Sequence, residues 1–361
     1  MIRVCFLPVA GKEDPGQQLR MQGLRDGGPF EAVSGDPGRF FAGFRTCLKY
    51  RPDILHFDWI GRYIHGRTHG VTLFKVLAFA IDVQIVTKIF RRPIVWTLHN
   101  LRSHEESSNG GLENRMQRYF ARHVTTIRVF SQSSVERAST ALGVERGKLR
   151  VLPEGDFSAY YPNSISPAEA RSRLGFTGAE FVLLWLGSIR PYKGIQELIE
   201  AFRAVAEPHW RLVIAGKPFI ESYAEEIVRL AQGDARIQVH PRFIPEDELQ
   251  VYYNTADVVA LPFVEVENSG SVCLAMGFRK PIVAPNLGVI GERLQAQPEL
   301  IYAPGGLPDA LQALAKLSSV RLQEIGEANY REIKRYSWNA FGRFFMELCN
   351  EWSLIPSKKT S

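Results

Sequence analysis

Residues 181–202, FVLLWLGSIRPYKGIQELIEAF, carry the pattern that decides the fold. The apolar run 181–186 predicts a buried strand, and residues 195–202 have the spacing of an amphipathic helix. The glycine-opened turn between them carries Arg190 and Lys193. In an open parallel sheet this place is the carboxyl edge, where ligands bind and where helix amides favour anions. The stretch predicts either a diphosphate site or a solvated charge pair on an ordinary strand–helix turn.

A second strand–helix turn further along the chain favours the diphosphate interpretation. Residues 257–262 predict another buried strand, and residues 272–278 predict the helix that follows it. The connection between them is small and polar, as is typical of a helix N-terminus with free amides. Two helix starts on one sheet, one of them with two cations, can hold one dianionic ligand between them. The residues of this connection are Asn268, Ser269, Gly270 and Ser271.

Length and composition indicate two globular domains. The chain has 361 residues, of which 45% are apolar and 23% charged, and strand and helix patterns alternate in both halves, as in an α/β protein. The four cysteines have no paired spacing, so we expect reduced thiols of a cytosolic protein rather than a zinc site or disulfides. The apolar run at the N-terminus is too short for the core of a signal peptide, and it predicts a first strand.

The net charge is unevenly divided along the chain. Residues 1–165 carry 23 Lys and Arg against 15 Asp and Glu, whereas the remainder carries 21 against 23. A basic first half predicts an anionic partner on that side. No nucleic-acid recognition motif accompanies it, so an anionic membrane surface or a diphosphate-bearing acceptor fits better, and no nucleic-acid partner is expected.

Residues 71–90, VTLFKVLAFAIDVQIVTKIF, have about the length of a membrane span. Charges at Lys75, Asp82 and Lys88 interrupt the run and are costly in hydrocarbon. We expect an amphipathic helix that covers the first sheet with its apolar face in the core. Contact with lipid headgroups is the alternative.

Polar residues follow two predicted strands of the first half. His56 and Asp58 lie on one face of the strand 53–59, because side chains two apart point the same way. They predict a bonded structural pair, or a base. The strand 94–98 delivers His99 to its carboxyl edge, and His104 follows in the loop.

Several of these pieces, in order, resemble a known family. Residues 152–155 (LPEG), 187–194, 257–262 and 275–285 resemble the nucleotide-sugar-binding half of GT-B glycosyltransferases, close to the retaining family four. Weaker matches at 96–105 and 52–59 extend the resemblance over nearly the whole chain.

The resemblance implies an α/β fold of two doubly wound, Rossmann-like domains facing a cleft. Residues 1–160 would form the N-terminal, acceptor-side domain, with the C-terminal helix 338–354 packing back on it. Residues 165–335 would form the nucleotide-sugar-binding domain.

The resemblance also implies roles for individual residues, without a metal or a cofactor. The first loop, with Gly11 and Lys12, would face the acceptor. The catalytic set is His99, Arg190, Lys193 and Glu267. The donor-binding set is Gly187, Ser188, Phe243, Ile244, Glu265, Asn268, Ser269, Gly270 and Ser271. The acceptor-side set is Gly11, Lys12, Asp58 and His104.

Two departures from the family pattern concern the second turn. Relatives carry two glutamates there, and the matching positions hold Val266 and Leu274. Glu265 and Glu267 flank the first of these positions, and either could substitute for it. Ser188 stands where many relatives have an arginine, so Arg190 is expected to take over its role.

The resemblance implies a retaining, metal-independent hexosyltransferase. It would move a sugar from a nucleotide-sugar donor to an acceptor, in polysaccharide biosynthesis on a lipid-linked or cell-surface glycan precursor. The expected location is cytoplasmic, peripheral to the inner face of the membrane. The alternatives are a degenerate GT-B protein that binds nucleotide or glycan without transfer, and a GT-B phosphorylase or epimerase.

Overall fold

The computed structural model describes residues 1–11, 15–101 and 110–354 and divides the chain into two compact units. Unit 1 comprises residues 1–154 and the C-terminal segment from Ser337, and unit 2 comprises Gly155–Tyr336. Each unit is an α/β layer structure in which helices cover both faces of a parallel sheet.

The sheet of unit 1 has the strand order β2-β1-β3-β4-β5-β6, and every pairing in it is parallel. The order reverses between β1 and β3, which is the doubly wound arrangement. The strands are β1 (Ile2–Leu7), β2 (Phe30–Ser34), β3 (Ile54–Phe57), β4 (Ile94–Thr97), β5 (Thr126–Val129) and β6 (Leu149–Val151). The helices are α1 (Pro15–Asp26), α2 (Ala42–Tyr50), α3 (Gly61–Ile64), α4 (His69–Gln84), α5 (Gly110–His123) and α6 (Gln132–Leu142), with a π-helical turn at Ile85–Ile89 and a 3-10 turn at Arg146–Lys148.

The last helix of the chain, α15 (Asn339–Glu351), covers one face of this sheet. Its apolar side, with Phe341, Phe345 and Leu348, is buried against Val4 and Phe6 of β1. The opposite face of the sheet packs against the helices from α2 to α6. Unit 1 therefore needs the end of the chain to complete its core.

The sheet of unit 2 has the order β12-β11-β10-β7-β8-β9, again with parallel pairings. Its order reverses between β7 and β10. The strands are β7 (Phe181–Leu186), β8 (Trp210–Ala215), β9 (Ile237–His240), β10 (Val258–Ala260), β11 (Ile282–Pro285) and β12 (Ile301–Tyr302). The helices are α7 (Pro167–Arg173), α8 (Ile195–Arg203), α9 (Glu221–Ala231), α10 (Leu249–Thr255), α11 (Gly270–Gly277), α12 (Ile290–Arg293), α13 (Leu307–Leu314) and α14 (Ser319–Lys334), with 3-10 turns at Pro191–Lys193 and Pro298–Leu300.

The cysteines are all free and buried, which agrees with the expectation of reduced thiols. Burial raises the pKa of the Cys5 thiol and of the Cys47 thiol to about 12, so both are protonated near neutral pH.

Helix α4 differs from the expectation in which side it buries. The apolar residues Val76 and Phe79 do reach the core, but Lys75 and Asp82 are buried beside them. Phe74 and Leu77 instead face outward, 61% and 55% exposed. The expectation that the polar residues would mark the outer face was wrong, because Lys75 and Asp82 find backbone partners inside.

Candidate active site

The candidate site of unit 2 lies where its strand order reverses, at the carboxyl ends of β7 and β10. This is the position at which doubly wound sheets bind ligands. Both turns singled out in the sequence, 187–194 after β7 and 262–271 after β10, leave this edge. The switch point therefore brings the two turns side by side.

A single glycine lets the first turn approach the second. Gly194 has φ 69°, and a Cβ there would lie 1.8 Å from the carbonyl oxygen of Pro262. The left-handed backbone and the close approach both require a residue without a side chain. A hydrogen bond from the Val264 amide to the Tyr192 carbonyl, 2.9 Å long, joins the turns further.

Lys193 and Ser271 meet over Gly187. A Cβ on Gly187 would lie 3.1 Å from the Lys193 Nζ and 3.6 Å from the Ser271 Oγ. The lysine belongs to the first turn, whereas Ser271 is the second residue of α11. The ammonium group and the start of α11 therefore face the same small space.

Helix α11 presents free amides to that space. Its N-cap Ser269 accepts a hydrogen bond from the Val272 amide at 3.3 Å, so the amides of Gly270 and Ser271 are not used by the cap. The N-terminus of a helix carries a partial positive charge that attracts anions. Burial of Ser269 keeps this geometry fixed.

Arg190 is positioned by two neighbours. Its Nε donates to the Ser188 Oγ at 3.4 Å, and its guanidinium lies 3.7 Å from the centroid of the Phe219 ring. The loop that carries Phe219 continues the β7–β8 pairing, because Ile189 donates to the Lys217 carbonyl at 2.9 Å. No sequence pattern indicated the Phe219 contact, because it depends on this pairing.

The Lys193 ammonium lacks a compensating carboxylate. No carboxylate of the described residues lies within ion-pair distance of it, and its Nζ is 5.7 Å from the Phe263 ring centroid. Burial, and then repulsion from Arg190, lower the pKa of Lys193 to about 8. An anionic ligand would remove this deficit, so the arrangement is suited to a diphosphate.

The two glutamate positions of the family pattern are occupied by core residues. Val266 and Leu274 are 7% and 8% exposed and pack in one apolar cluster of unit 2. Of their neighbours, Glu267 is buried and Glu265 exposed. A role of Glu265 or Glu267 in sugar recognition stays a prediction.

The residues expected near the nucleobase separate after β9. Ile244 is buried in the core, whereas Phe243 is 51% exposed and lies 6.0 Å from the Lys217 Nζ. Of these two residues, only Phe243 is exposed and able to contact a ligand. Gly187, Ser188 and Asn268 are partly buried at the edge, and Gly270 is exposed.

The carboxyl edge of unit 1 holds a network around Asp58. Its carboxylate lies 3.2 Å from the Arg20 guanidinium, accepts from the Gln17 amide at 2.7 Å and lies 3.4 Å from the His99 Nε2. The predicted bond with His56 is not formed, because the two groups are 3.9 Å apart and His56 pairs with the Thr97 hydroxyl at 2.8 Å.

Charges in this network cancel. Arg20 and Arg128 face Asp58 and Glu154, with Arg20 2.9 Å and Arg128 3.7 Å from Glu154, and all four are buried. Burial alone would raise the pKa of the Asp58 carboxyl, but the Arg20 guanidinium holds that pKa below its usual range. Burial also lowers the pKa of His56 to about 3, so its ring is neutral.

Sequence reasoning missed four members of this network: Gln17, Arg20, Arg128 and Glu154. The spacing of Gln17 and Arg20 places both on one side of α1, and this was the available signal. The strand ends that this side of α1 contacts could not be predicted, because they depend on the order of the strands in the sheet.

His99 is the accessible member of the network. Its side chain is 16% exposed, and its ring stacks on Trp59 at a centroid distance of 4.8 Å. Gly11 is exposed after β1. Lys12 and His104, also predicted on the acceptor side, lie outside the described residues. Among the described residues no group of three or more His, Cys, Asp or Glu could hold a metal ion.

Comparisons with known proteins bear on the family and the fold. Residues 180–319 match the model of the family described as glycosyl transferases group 1. The GDP-mannose:glycolipid 4-beta-D-mannosyltransferase of Xanthomonas campestris pv. campestris is 26% identical over 309 residues, covering 84% of this chain and 81% of that protein.

Two solved structures share the fold. Sucrose-phosphate synthase from Thermosynechococcus elongatus superposes with a TM-score of 0.74 at 16% identity, covering 98% of this chain and 100% of the other. Anabaena HepE in complex with UDP and glucose superposes with a TM-score of 0.71 at 18% identity, covering 97% and 100%. At such identities the likeness concerns the fold alone.

These findings confirm the family, the fold class and the enzyme class that the sequence predicted. The two parallel six-stranded sheets, the matched family model and the relatives agree with one another. Residues 180–319 carry a glycosyl transferases group 1 domain, and the chain is a hexosyltransferase of GT-B fold that depends on a nucleotide sugar.

Proposed function

We propose that unit 2 binds the diphosphate of the donor between the turn after β7 and the start of α11. The observation that carries this proposal is that the Lys193 Nζ and the Ser271 Oγ lie close together over Gly187. The two atoms would lie 3.1 and 3.6 Å from a Cβ on that glycine. Arg190 supplies the second positive charge. Transfer leaves negative charge on the departing phosphate, and fixed cations and amides stabilise it more strongly as it develops.

The acceptor we propose is a sugar on a lipid carrier, modified at the cytoplasmic face of the membrane. The Xanthomonas relative is named for a glycolipid acceptor, and the first half of this chain is basic. His99, held by the buried Asp58, and Gly11 would contact this acceptor. No metal enters this scheme, so chelation with EDTA should leave the rate unchanged.

The stereochemical course has two candidates. Retention is implied by the family resemblance and is our first proposal. Inversion is favoured by the Asp58–His99 pair, because an acceptor hydroxyl that attacks the anomeric carbon opposite the leaving diphosphate must give its proton to a general base, and a histidine held by a carboxylate can serve. The anomeric carbon–proton coupling of the product, measured by NMR, separates the two outcomes.

Transfer assays with a panel of nucleotide sugars test the function. GDP-mannose and UDP-glucose are the first donors to try, because relatives are named for, or solved with, GDP-mannose, UDP and glucose. Binding of UDP and GDP, measured by calorimetry, should show which base the protein prefers. Absence of transfer, or nucleotide binding that survives loss of both Arg190 and Lys193, would contradict the proposal.

A further inference from the structure

Helix α4 and the π-helical turn after it form a long apolar segment on unit 1. From His69 to Ile89 the segment is long and apolar enough to cross a membrane by length and composition, yet less than half of it is buried. Its arrangement is the reverse of an ordinary surface helix, which turns its polar side to water. The reversal is visible on both sides of the helix.

The inner side of α4 buries charge because that charge caps other helices. Asp82 accepts from the amides of Gly43 and Phe44, at 2.9 and 2.7 Å, and so caps the start of α2, whose own N-cap residue makes no side-chain bond. Lys75 donates to the carbonyl of Arg62, at 2.8 Å, and to that of His65, past the end of α3. These bonds hold the polar side of α4 against unit 1.

The outer side of α4 consequently exposes large apolar side chains. Their spacing of one and four residues places them on one side of the helix. Phe40, 38% exposed, extends the surface, since its ring lies 5.5 Å from that of Phe74. We name this surface the outer face; on α4 it consists of Leu73, Phe74, Leu77 and Ile81, which are 42%, 61%, 55% and 53% exposed.

Within residues 59–92, the segment that carries α4, every exposed charged residue is basic. Between residues 59 and 92 the only acidic residue is Asp82, which is buried. Exposed cations stand at both ends of the face. At one end are Arg39, Arg62 and Arg67, and at the other are Lys88 and Arg91.

We propose that the outer face is the surface by which unit 1 docks onto an anionic lipid bilayer. Apolar side chains enter the boundary between headgroups and acyl chains, and the flanking cations pair with lipid phosphates, which together give stable interfacial binding. The helix lies in the interface and does not span it, because Lys75 and Asp82 remain tied to α3 and α2. A second copy of the chain suits this face poorly, since a symmetric contact would bring like charges together.

Vesicle binding tests the proposal on the full chain. The wild-type protein should co-sediment with phosphatidylcholine vesicles that contain phosphatidylglycerol, more weakly with phosphatidylcholine alone, and less as salt is added. The double variant Phe74→Ser/Leu77→Ser should bind the anionic vesicles about tenfold to a hundredfold more weakly. The matched control is Val320→Ser, 65% exposed in unit 2, which should bind as wild type does.

Charge variants separate the headgroup contribution from the apolar one. Arg67→Glu/Lys88→Glu should lose most of the preference for phosphatidylglycerol, whereas Lys316→Glu, exposed in unit 2, should keep it. Circular dichroism and thermal unfolding of each variant report that the fold is intact. Nucleotide binding separates this proposal from that of the donor site, since either can fail alone.

A label on the outer face gives a second measurement. All four native cysteines are buried, so Leu77→Cys can be labelled with an environment-sensitive fluorophore, with Val320→Cys as its control. Only the label at 77 should shift to the blue with anionic vesicles. The proposal is overturned if wild type ignores these vesicles, if Phe74→Ser/Leu77→Ser binds them normally, or if that variant converts a dimer to a monomer in gel filtration.

Discussion

The carboxyl edges of the two sheets carry charge in opposite ways. In unit 1, Arg20 and Arg128 face Asp58 and Glu154, and the four buried charges cancel. In unit 2, Lys193 has no described carboxylate beside it and its pKa falls to about 8. A balanced, buried network holds elements in place, whereas an unbalanced cation at a switch point needs an anion from outside. The difference separates an edge whose buried charges are balanced within the protein from an edge that is suited to an anionic ligand.

Removal of Arg20 should have the largest effect on stability. Arg20→Met leaves two buried carboxylates short of positive charge, and breaking a buried pair in this way costs about 3–5 kcal/mol in the free energy of unfolding. Urea denaturation measures the loss. The control Arg150→Met breaks an exposed pair with Glu351 and should cost about 1 kcal/mol or less. Equal losses in both variants would contradict a stabilising role for the buried charges of unit 1.

Removal of Lys193 should affect binding rather than folding. A charge-assisted contact to phosphate contributes about 1.5–3 kcal/mol, so Lys193→Ala should weaken UDP or GDP binding about tenfold to a hundredfold. Calorimetry gives the dissociation constants. Lys217→Ala, on the turn after β8, is the matched control and should bind nearly as wild type does. If Lys217 mattered as much as Lys193, the anion site would lie elsewhere on this edge.

The pH dependence of binding should reveal the same lysine. With a pKa of about 8 in the free protein, Lys193 is charged below that pH and loses its proton above it. Nucleotide affinity should therefore be highest below pH 8 and fall by up to about tenfold for each pH unit above it. Lys193→Arg keeps its charge throughout and should give a flat profile over this range. A wild-type profile that is flat up to about pH 9.5, which is about 1.5 pH units above the pKa of Lys193, would show that another group neutralises the phosphate.

The smallest effect is expected from the hydroxyl at the start of α11. Ser271→Ala removes one neutral contact, which is worth about 0.5–1.5 kcal/mol, so nucleotide affinity should drop about twofold to tenfold. Ser318→Ala, which removes the N-cap bond of α14 to Arg321, serves as the control. It should lower stability without changing the dissociation constant. If Ser271→Ala instead lowered stability and left nucleotide affinity unchanged, the Ser271 hydroxyl would have only a structural role.

Much of the fold could be predicted because the local patterns are strong. The apolar run of β7, the helix after it and the alternation in both halves lead to doubly wound sheets. The positions of Arg190, Lys193 and Ser271 follow, since the residues between a strand and a helix must lie at a sheet edge. The roles of the site residues stay predictions, and Lys12 and His104 lie outside the described residues.

The sequence by itself determined where cations and helix starts occur, because hydrophobic periodicity and capping chemistry are local. Tertiary structure alone decided which charges cancel. Arg20 and Glu154 meet across 134 positions of the chain, and Lys75 and Asp82 turn inward because helix ends of α3 and α2 receive them. Such partners are chosen by the order of strands and the packing of layers, where burial makes each unpaired charge costly. A periodic sequence pattern does not include that cost. It therefore predicts that a charged residue lies on a helix, but not which side of that helix will be buried.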